Sequence, residues 1–250
     1  MSHAIVLAGG LATRLYPLTE NMAKCLVPCA GRPFVDYSLA WMASTGVTHA
    51  TFVLGHFADQ VAAHLGTLDV EGLKIDWIDE GKTRLGTGGA VTKALEKFPE
   101  QKDFLVVYGD SFLPTDFSKI ATANAQALMA IFHNMGALDS SNVHLKNGRV
   151  EKYSKDPKVQ KRENFQHIDY GISYWKSDYF QKHRPKETVW DLALLMSETA
   201  ARGDMRALEV KERFFEIGSP RGYQEFQDLL EGKVDRQLAS MIESTLAKLR

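Results

Sequence analysis

The segment from Leu7 to Pro28, "LAGGLATRLYPLTENMAKCLVP", concentrates groups that can handle a polyphosphate. The apolar run Ala4 to Ala8 reads as a buried strand and empties into Gly9-Gly10, where missing side chains let backbone N–H groups approach an anion. Arg14 follows within reach, and Lys24 returns a second cation after a proline-containing loop. Two fixed cations beside a ring of amides suit a triphosphate whose charge grows on a departing pyrophosphate. On its own, a glycine pair after a strand also fits an ordinary tight turn. The segment lacks the GK[ST] of a Walker loop and the GxGxxG of a dinucleotide site, which argues against a nicotinamide-dependent oxidoreductase.

Three further stretches carry candidate chemistry. "VVYGDS" sets Asp110 just past the carboxyl end of an apolar strand, the edge where open α/β sheets bind ligands, and its hard oxygens suit Mg2+. Alone, such an Asp also serves as a turn former or helix cap. "LGTGGA" offers Gly86, Thr87 and Gly88 at a helix start, either as a close-approach surface for a ligand or as an N-terminus capped by Thr87. "VEKYSKD" alternates charges over Glu151, Lys152 and Lys155; a carboxylate accepts hydroxyl donors and a lysine serves a phosphate as a point charge, although an exposed hairpin would look the same.

The elements that would position these groups follow from periodicity. Apolar runs "AIVLAGG", "ATFVLG", "LKIDWIDE" and "FLVVYGD" alternate with amphipathic stretches 33–45, 57–65 and 88–98, with Pro33 at a helix start and Gly46 at its stop. This βαβα order predicts an α/β fold with a mostly parallel sheet and helices on both faces. Strands follow around 127–132, 142–145 and 149–153, the last two joined by an Asn147-Gly148 hairpin turn. Residues 155–167 are charged and aperiodic, as in an exposed loop or lid. "HIDYGISYW" reads as a strand, "WDLALLMSETAARG" as a helix closed by Gly203, and "SPRGYQEFQDLL" as a helix with Pro220 in its first turn. Leu238, Met241, Ile242, Leu246 and Leu249 form an apolar stripe on the tail that docks on its own domain or pairs subunits in a homodimer; periodicity does not separate the two.

Composition narrows the partners. A 250-residue chain with 44% hydrophobic residues can bury a sizeable core. With 30 basic and 31 acidic residues the net charge is −1, leaving no basic excess for nucleic acid or an anionic membrane, so small molecules are the expected ligands. Cys25 and Cys29 read as reduced core thiols rather than a disulfide or zinc framework. The N-terminal apolar run is too short for a signal core or membrane span, which makes the cytoplasm the expected compartment.

With these residues in view, the sequence resembles the sugar-1-phosphate nucleotidyltransferases, whose opening motif reads LAGGxGTRLxPLTxxxPKxLxPVxGxP. The likeness runs from "LAGGLATRLYPLT" through Lys24, Pro28 and "AGRPF", and continues in order through "RLGTGGAV", "VVYGDS", "VEKYSKD", "IDYGISYW" and "FFEIGSP". It implies a Rossmann-like doubly wound, mostly parallel mixed sheet with an inserted sugar-binding β subregion and C-terminal helices. In that reading residues 1–230 form one nucleotidyltransferase domain, with a nucleotide-binding half over about 1–110, a sugar-binding half over about 111–230, and an amphipathic helix over 231–250.

The implied reaction joins a nucleoside triphosphate to a sugar 1-phosphate, releasing pyrophosphate, in nucleotide-sugar and polysaccharide biosynthesis. Arg14, Lys24 and Asp110 would be catalytic. Leu7, Ala8, Gly9, Gly10, Ala12, Thr13, Glu80, Gly86, Thr87 and Gly88 would contact the nucleotide, and Asp110 with Glu216 would hold Mg2+. Glu151, Lys152, Lys155, Asp169, Tyr170 and Gly171 would meet the sugar phosphate. The "YSKD…HIDYG" arrangement looks like the heptose- and mannose-1-phosphate branch, which points to GTP and makes Lys155 the better phosphate ligand. Cytidylyl or uridylyl transfer to another sugar or non-sugar phosphate is the alternative within the reaction class. The motif has three departures: Ala12 for a glycine, Ala23 for a proline and Glu216 for an aspartate. They motivate a rival reading as a non-catalytic, nucleotide-sugar-binding regulatory protein.

Overall fold

Apolar runs bounded by glycine become strands, and the helix-period stretches between them become helices. The computed structural model describes residues 2–11 and 13–249. It begins with β1 (His3–Ala8), the two-residue strands β2 (Pro28–Cys29) and β3 (Arg32–Pro33), α1 (Phe34–Ser44), β4 (His49–Leu54), α2 (Ala58–Leu65) and β5 (Lys74–Asp79). Next come α3 (Gly86–Lys97), β6 (Asp103–Tyr108), β7 (Ser111–Phe112), α4 (Phe117–Ala121), β8 (Ala127–His133), β9 (Val143–Lys146) and β10 (Arg149–Tyr153). Last are α5 (Pro157–Glu163), β11 (His167–Lys176), α6 (Ser177–His183), α7 (Leu192–Ala201), β12 (Met205–Val210), β13 (Phe215–Glu216), α8 (Pro220–Leu230) and α9 (Arg236–Thr245).

The chain divides into two compact units that interleave in sequence. The first comprises Met1–Thr83, Tyr108–Ser118 and Phe214–Arg250; the second comprises Arg84–Val107 and Lys119–Arg213. In the first unit β5, β4 and β1 lie side by side and parallel. Their registers pair Ala8 with Leu54 and Leu54 with Asp79, so all three strands end level. Burial relaxes along the first of them, from the buried His3–Val6 to the half-buried Leu7–Gly9 and the exposed Gly10, which opens the carboxyl edge to solvent.

A ring cluster fixes the rest of this unit. Phe226 of α8 is fully buried with its ring 5.1 Å from Phe34, 5.7 Å from Tyr37, 5.4 Å from Phe112 and 6.3 Å from Phe215. Burying one such side chain contributes about 1.5–3 kcal/mol. Two of these rings belong to the β7–β13 ladder, where Phe215 pairs with Phe112 and Glu216 with Ser111. The tail packs on α1 and α8, burying Ile242, and Leu249 bridges to Val70. The apolar stripe therefore docks on its own unit, although Met241 stays 48% exposed. Cys25 and Cys29 are free and buried, as their small apolar character predicts.

The second unit orders its strands β6-β11-β8-β12-β10-β9. Here the expectation of a mostly parallel sheet fails: only β12 and β8 run parallel, and the other pairings are antiparallel. For β9 and β10 the reversal is the expected one, closed by Asn147-Gly148, both at positive φ, and β11 in addition runs against both β6 and β8. The lid expected over 155–167 also changes character. Its centre is α5, started by Pro157 and by the Asp156 side chain, which accepts from the Lys158 N–H at 2.8 Å. Trp175, Phe104, Phe180 and Leu195 fill the core beneath. Among the described residues no helix is long and apolar enough to cross a membrane.

Candidate functional site

In the first unit the level strand ends bring Gly9, Gly55 and Glu80 together. A methyl group on Gly9 would fall 2.6 Å from Glu80 Oε1, and the same oxygen lies against Gly55. Gly109 donates its N–H to Leu7 C=O at 3.0 Å, which sets Asp110 beside the end of β1. Ile217 then donates to Asp110 C=O at 2.9 Å, tying the two acid-bearing segments along the β7–β13 ladder.

The charged side chains converge on Gly218. A methyl group there would lie 2.5 Å from Glu216 Oε2, 3.2 Å from Arg14 Nη2 and 3.5 Å from Lys24 Nζ. Lys24 Nζ also donates to Asp110 Oδ2 at 2.9 Å. Arg14, Lys24, Asp110 and Glu216 thus form one cluster, with Arg14 on an exposed single-turn helix over Thr13–Leu15. Glu216 is braced from two sides: Ser219 Oγ donates to its Oε1 at 2.6 Å, and the Gly218 N–H donates to its Oε2. Ser219 caps α8, its Oγ accepting from the Gly222 N–H at 3.0 Å, so one hydroxyl both starts the helix and aims the carboxylate. Sequence reasoning passed over Ser219, although Ser-Pro at a helix start three residues after Glu216 is a readable signal.

The donor chemistry fits magnesium. Asp110 and Glu216 offer only carboxylate oxygens, each with a second lone pair beyond the hydrogen bond it accepts. Two carboxylates suit an ion that is bound through one or two acids and takes its remaining ligands from phosphates and water. Ala12 lies outside the described residues.

The second unit gathers a different set. Lys155 Nζ lies 3.7 Å from Asp191 Oδ1, and Thr87 Oγ1 donates to that same oxygen at 3.0 Å. Burial pushes the Asp191 carboxyl up, but the Ala193 N–H, Lys155 and Thr87 outweigh it and hold it below the ordinary range. Asp169 accepts from the Gly171 N–H at 3.0 Å and from Tyr153 at 3.5 Å, with Lys155 near enough to act on it electrostatically. Burial nonetheless raises the Asp169 carboxyl above its ordinary value.

Six further expected contact residues are engaged by the protein itself in this unit. Glu151, left without a cross-strand partner by the register shift between Val150 and Lys152, pairs with Lys146 at 2.8 Å and His144 at 3.6 Å across the β9–β10 hairpin. Lys152 pairs with Glu163 of α5 at 2.7 Å. Tyr170 is 1% exposed, since strand alternation turns it into the core on the face opposite Asp169. Gly86, Gly88 and Gly89 are packed against the chain around Trp190. A methyl on Gly86 would meet Trp190 C=O at 2.5 Å, one on Gly88 would land on the Trp190 ring, and the Gly88 and Gly89 N–H groups both donate to Trp190 C=O. Thr87 caps α7 rather than its own helix, accepting from the Leu192 N–H at 2.8 Å.

The chain is 37% identical over 110 residues to a glucose-1-phosphate thymidylyltransferase of Streptomyces griseus; the match covers 44% of this chain but spans only 30% of that relative's own length. It is 26% identical over 228 residues to the D-glycero-alpha-D-manno-heptose 1-phosphate guanylyltransferase of Campylobacter jejuni, covering 89% of this chain and 97% of that protein. The fold matches the crystal structure of HddC from Yersinia pseudotuberculosis, with a TM-score of 0.75 at 21% identity over 92% of this chain and 100% of that one; the same protein has also been solved complexed with GMP-PN. The family described as nucleotidyl transferase matches residues 3–231, and the chain belongs to that family.

Proposed function

We propose that the protein transfers a nucleoside monophosphate from a nucleoside triphosphate to a sugar 1-phosphate, releasing pyrophosphate. One observation carries the reading: Arg14, Lys24, Asp110 and Glu216 converge around Gly218 beside the Gly9-Gly10 turn. A non-bridging oxygen of the sugar phosphate attacks the α-phosphorus, the bond from that phosphorus to the bridging oxygen breaks, and pyrophosphate leaves in line. The attacking oxygen is already ionised near neutral pH, so no general base is required. Arg14 and Lys24 take up charge developing on the leaving group, and Gly9 and Gly10 let backbone N–H groups approach the phosphates. Asp110 and Glu216 would hold Mg2+, which when bound neutralises phosphate charge. Because Trp190 C=O already takes the Gly88 N–H, Glu80 at the carboxyl edge of the first unit is the base contact we put first.

Within the same reading Lys155, Asp169, Gly171 and Asp191 serve the acceptor, and Lys155 is the acceptor-phosphate ligand. Lys152 is engaged by Glu163 of α5 at 2.7 Å, whereas Lys155 stands beside Asp191 and acts on Asp169, the acids assigned to the acceptor. GTP and a heptose- or mannose-type 1-phosphate are the substrates we put first, supported by the full-length likeness to a heptose 1-phosphate guanylyltransferase. The Rossmann-like arrangement with an inserted sugar-binding region, and a cytoplasmic location, belong to the same proposal. Pyrophosphate release, assayed with each common NTP against a panel of sugar 1-phosphates and Mg2+, tests it. GTP-dependent release with a heptose or mannose 1-phosphate supports the full reading, release with another base or acceptor corrects the substrates alone, and binding without release for every pair returns the protein to the regulatory class.

A further inference from the structure

The loop that carries Lys24 is held from the side by a residue that the mechanism does not use. Gln60 on α2 grips it with both ends of its amide: Nε2 donates to Asn21 C=O at 3.0 Å, and Oε1 accepts from the Ala23 N–H at 3.2 Å. A donor role at one end and an acceptor role at the other fix the amide's orientation, because a flip would set like against like. Ala23 is buried and immediately precedes Lys24, whose ammonium reaches Asp110.

The helix presenting Gln60 is firmly seated. Val61 and Leu65 are buried, and His64 Nε2 lies 2.7 Å from Oδ1 of the buried Asp36 on α1. The contact to Ala23 also depends on what residue 23 is. Its φ of −61° and ψ of 139° are values a proline adopts without strain, but a proline has no N–H to give. The opening motif that this chain resembles has proline there, and the loop would then be stiffened by its ring. Here alanine leaves φ free and supplies the donor that Gln60 accepts.

We propose that Gln60 is a positioning residue for Lys24, substituting a side-chain clasp for the backbone constraint that alanine at position 23 lacks. The inference rests on the reading of Lys24 as the cation facing the triphosphate. It assigns the clasp no contact with substrate, so its removal acts on turnover through the placement of Lys24.

Five proteins test it: wild type, Lys24→Ala, Gln60→Ala, Ala23→Pro, and Gln60→Ala with Ala23→Pro. Pyrophosphate-release kinetics are read beside hydrogen exchange at the Ala23 amide. Removing the clasp should lower kcat about tenfold, since a small misplacement of a catalytic group has effects of that order, with KM for the triphosphate changing less than about twofold. The Ala23 amide should exchange faster in Gln60→Ala. Proline at position 23 should leave kcat within about twofold in the wild-type background and restore most of it in the Gln60→Ala background, because its ring fixes the same φ. Unchanged exchange at Ala23 in Gln60→Ala, unchanged kcat in that variant, or a loss that proline fails to restore overturns the clasp. Wild-type turnover in Lys24→Ala overturns the reading beneath it, and the exchange result separates the two failures.

Discussion

Two glycine-rich segments that look alike in sequence do opposite things in the folded chain. Gly10, at the end of β1, borders open space: a methyl group there would meet nothing within 4 Å, the neighbouring charges are partly exposed, and only its neighbour Gly9 is closed in, by Glu80 and Gly55. Gly86-Thr87-Gly88-Gly89, at the start of α3, is filled by the chain around Trp190. A glycine run marks a place where something must come close, and the sequence does not say whether that is a ligand or the protein itself. In the first unit the emptiness serves charge; in the second it serves packing.

That contrast can be broken or sharpened by substitution. The largest expected effect is Lys24→Ala, which should lower kcat about 1,000-fold while leaving the melting temperature nearly unchanged, because a charge and not a packing contact is removed. Turnover like the wild type would end the account of the first unit. Next comes Gly88→Ala, where the added methyl overlaps the Trp190 ring. Urea denaturation should show a loss of about 1–3 kcal/mol, and a loss under about 0.5 kcal/mol would mean that the segment is not packed as described. Gly10→Ala should do the reverse, keeping stability within about 0.5 kcal/mol while raising KM for the triphosphate about tenfold through lost approach to the backbone N–H groups. If instead it destabilises and leaves KM alone, the two segments are the same kind of feature.

The smallest effect is a pH dependence in the second unit. Burial raises the Asp169 carboxyl, so the folded state holds its proton more tightly than the unfolded chain does. Its stabilising contribution is complete below the ordinary Asp range and is lost as pH rises through the elevated folded value. Asp169→Asn should therefore gain stability over wild type as pH is raised through that window, in melting curves taken at matched ionic strength, while weakening the acceptor's KM. Parallel pH profiles for the two proteins would contradict the burial of that carboxylate.

How much of this could be read in advance depends on how local each signal was. α1, α2 and α3 announced themselves through apolar spacing, and Gly46, at a φ of 98°, stops the first as its position implied. α5 gave no such signal because it buries nothing, leaving the Asp156 cap and Pro157 as its only marks. β12 escaped reading because its burial does not alternate cleanly along Met205–Val210. The four charges of the first unit were legible as motif residues, and the structure brings them together. The Trp190 backbone over α3 was not legible, since nothing local links residue 88 to residue 190. Nor was the engagement of Glu151 by Lys146, which depends on strand register rather than residue type.

The interleaving of the two units has a consequence for the ribosome. Arg14, Lys24 and Asp110 are all synthesised before the chain enters most of the second unit, whereas Glu216, Ser219 and Phe226 come after it. A nascent chain that stops near residue 213 lacks the β13 strand and the ring that anchors it. Closing so long a loop is entropically costly and slow, so the acid pair is among the last features to mature. Translation must therefore pass residue 226 before the cluster can acquire both its second carboxylate and the ring that anchors it.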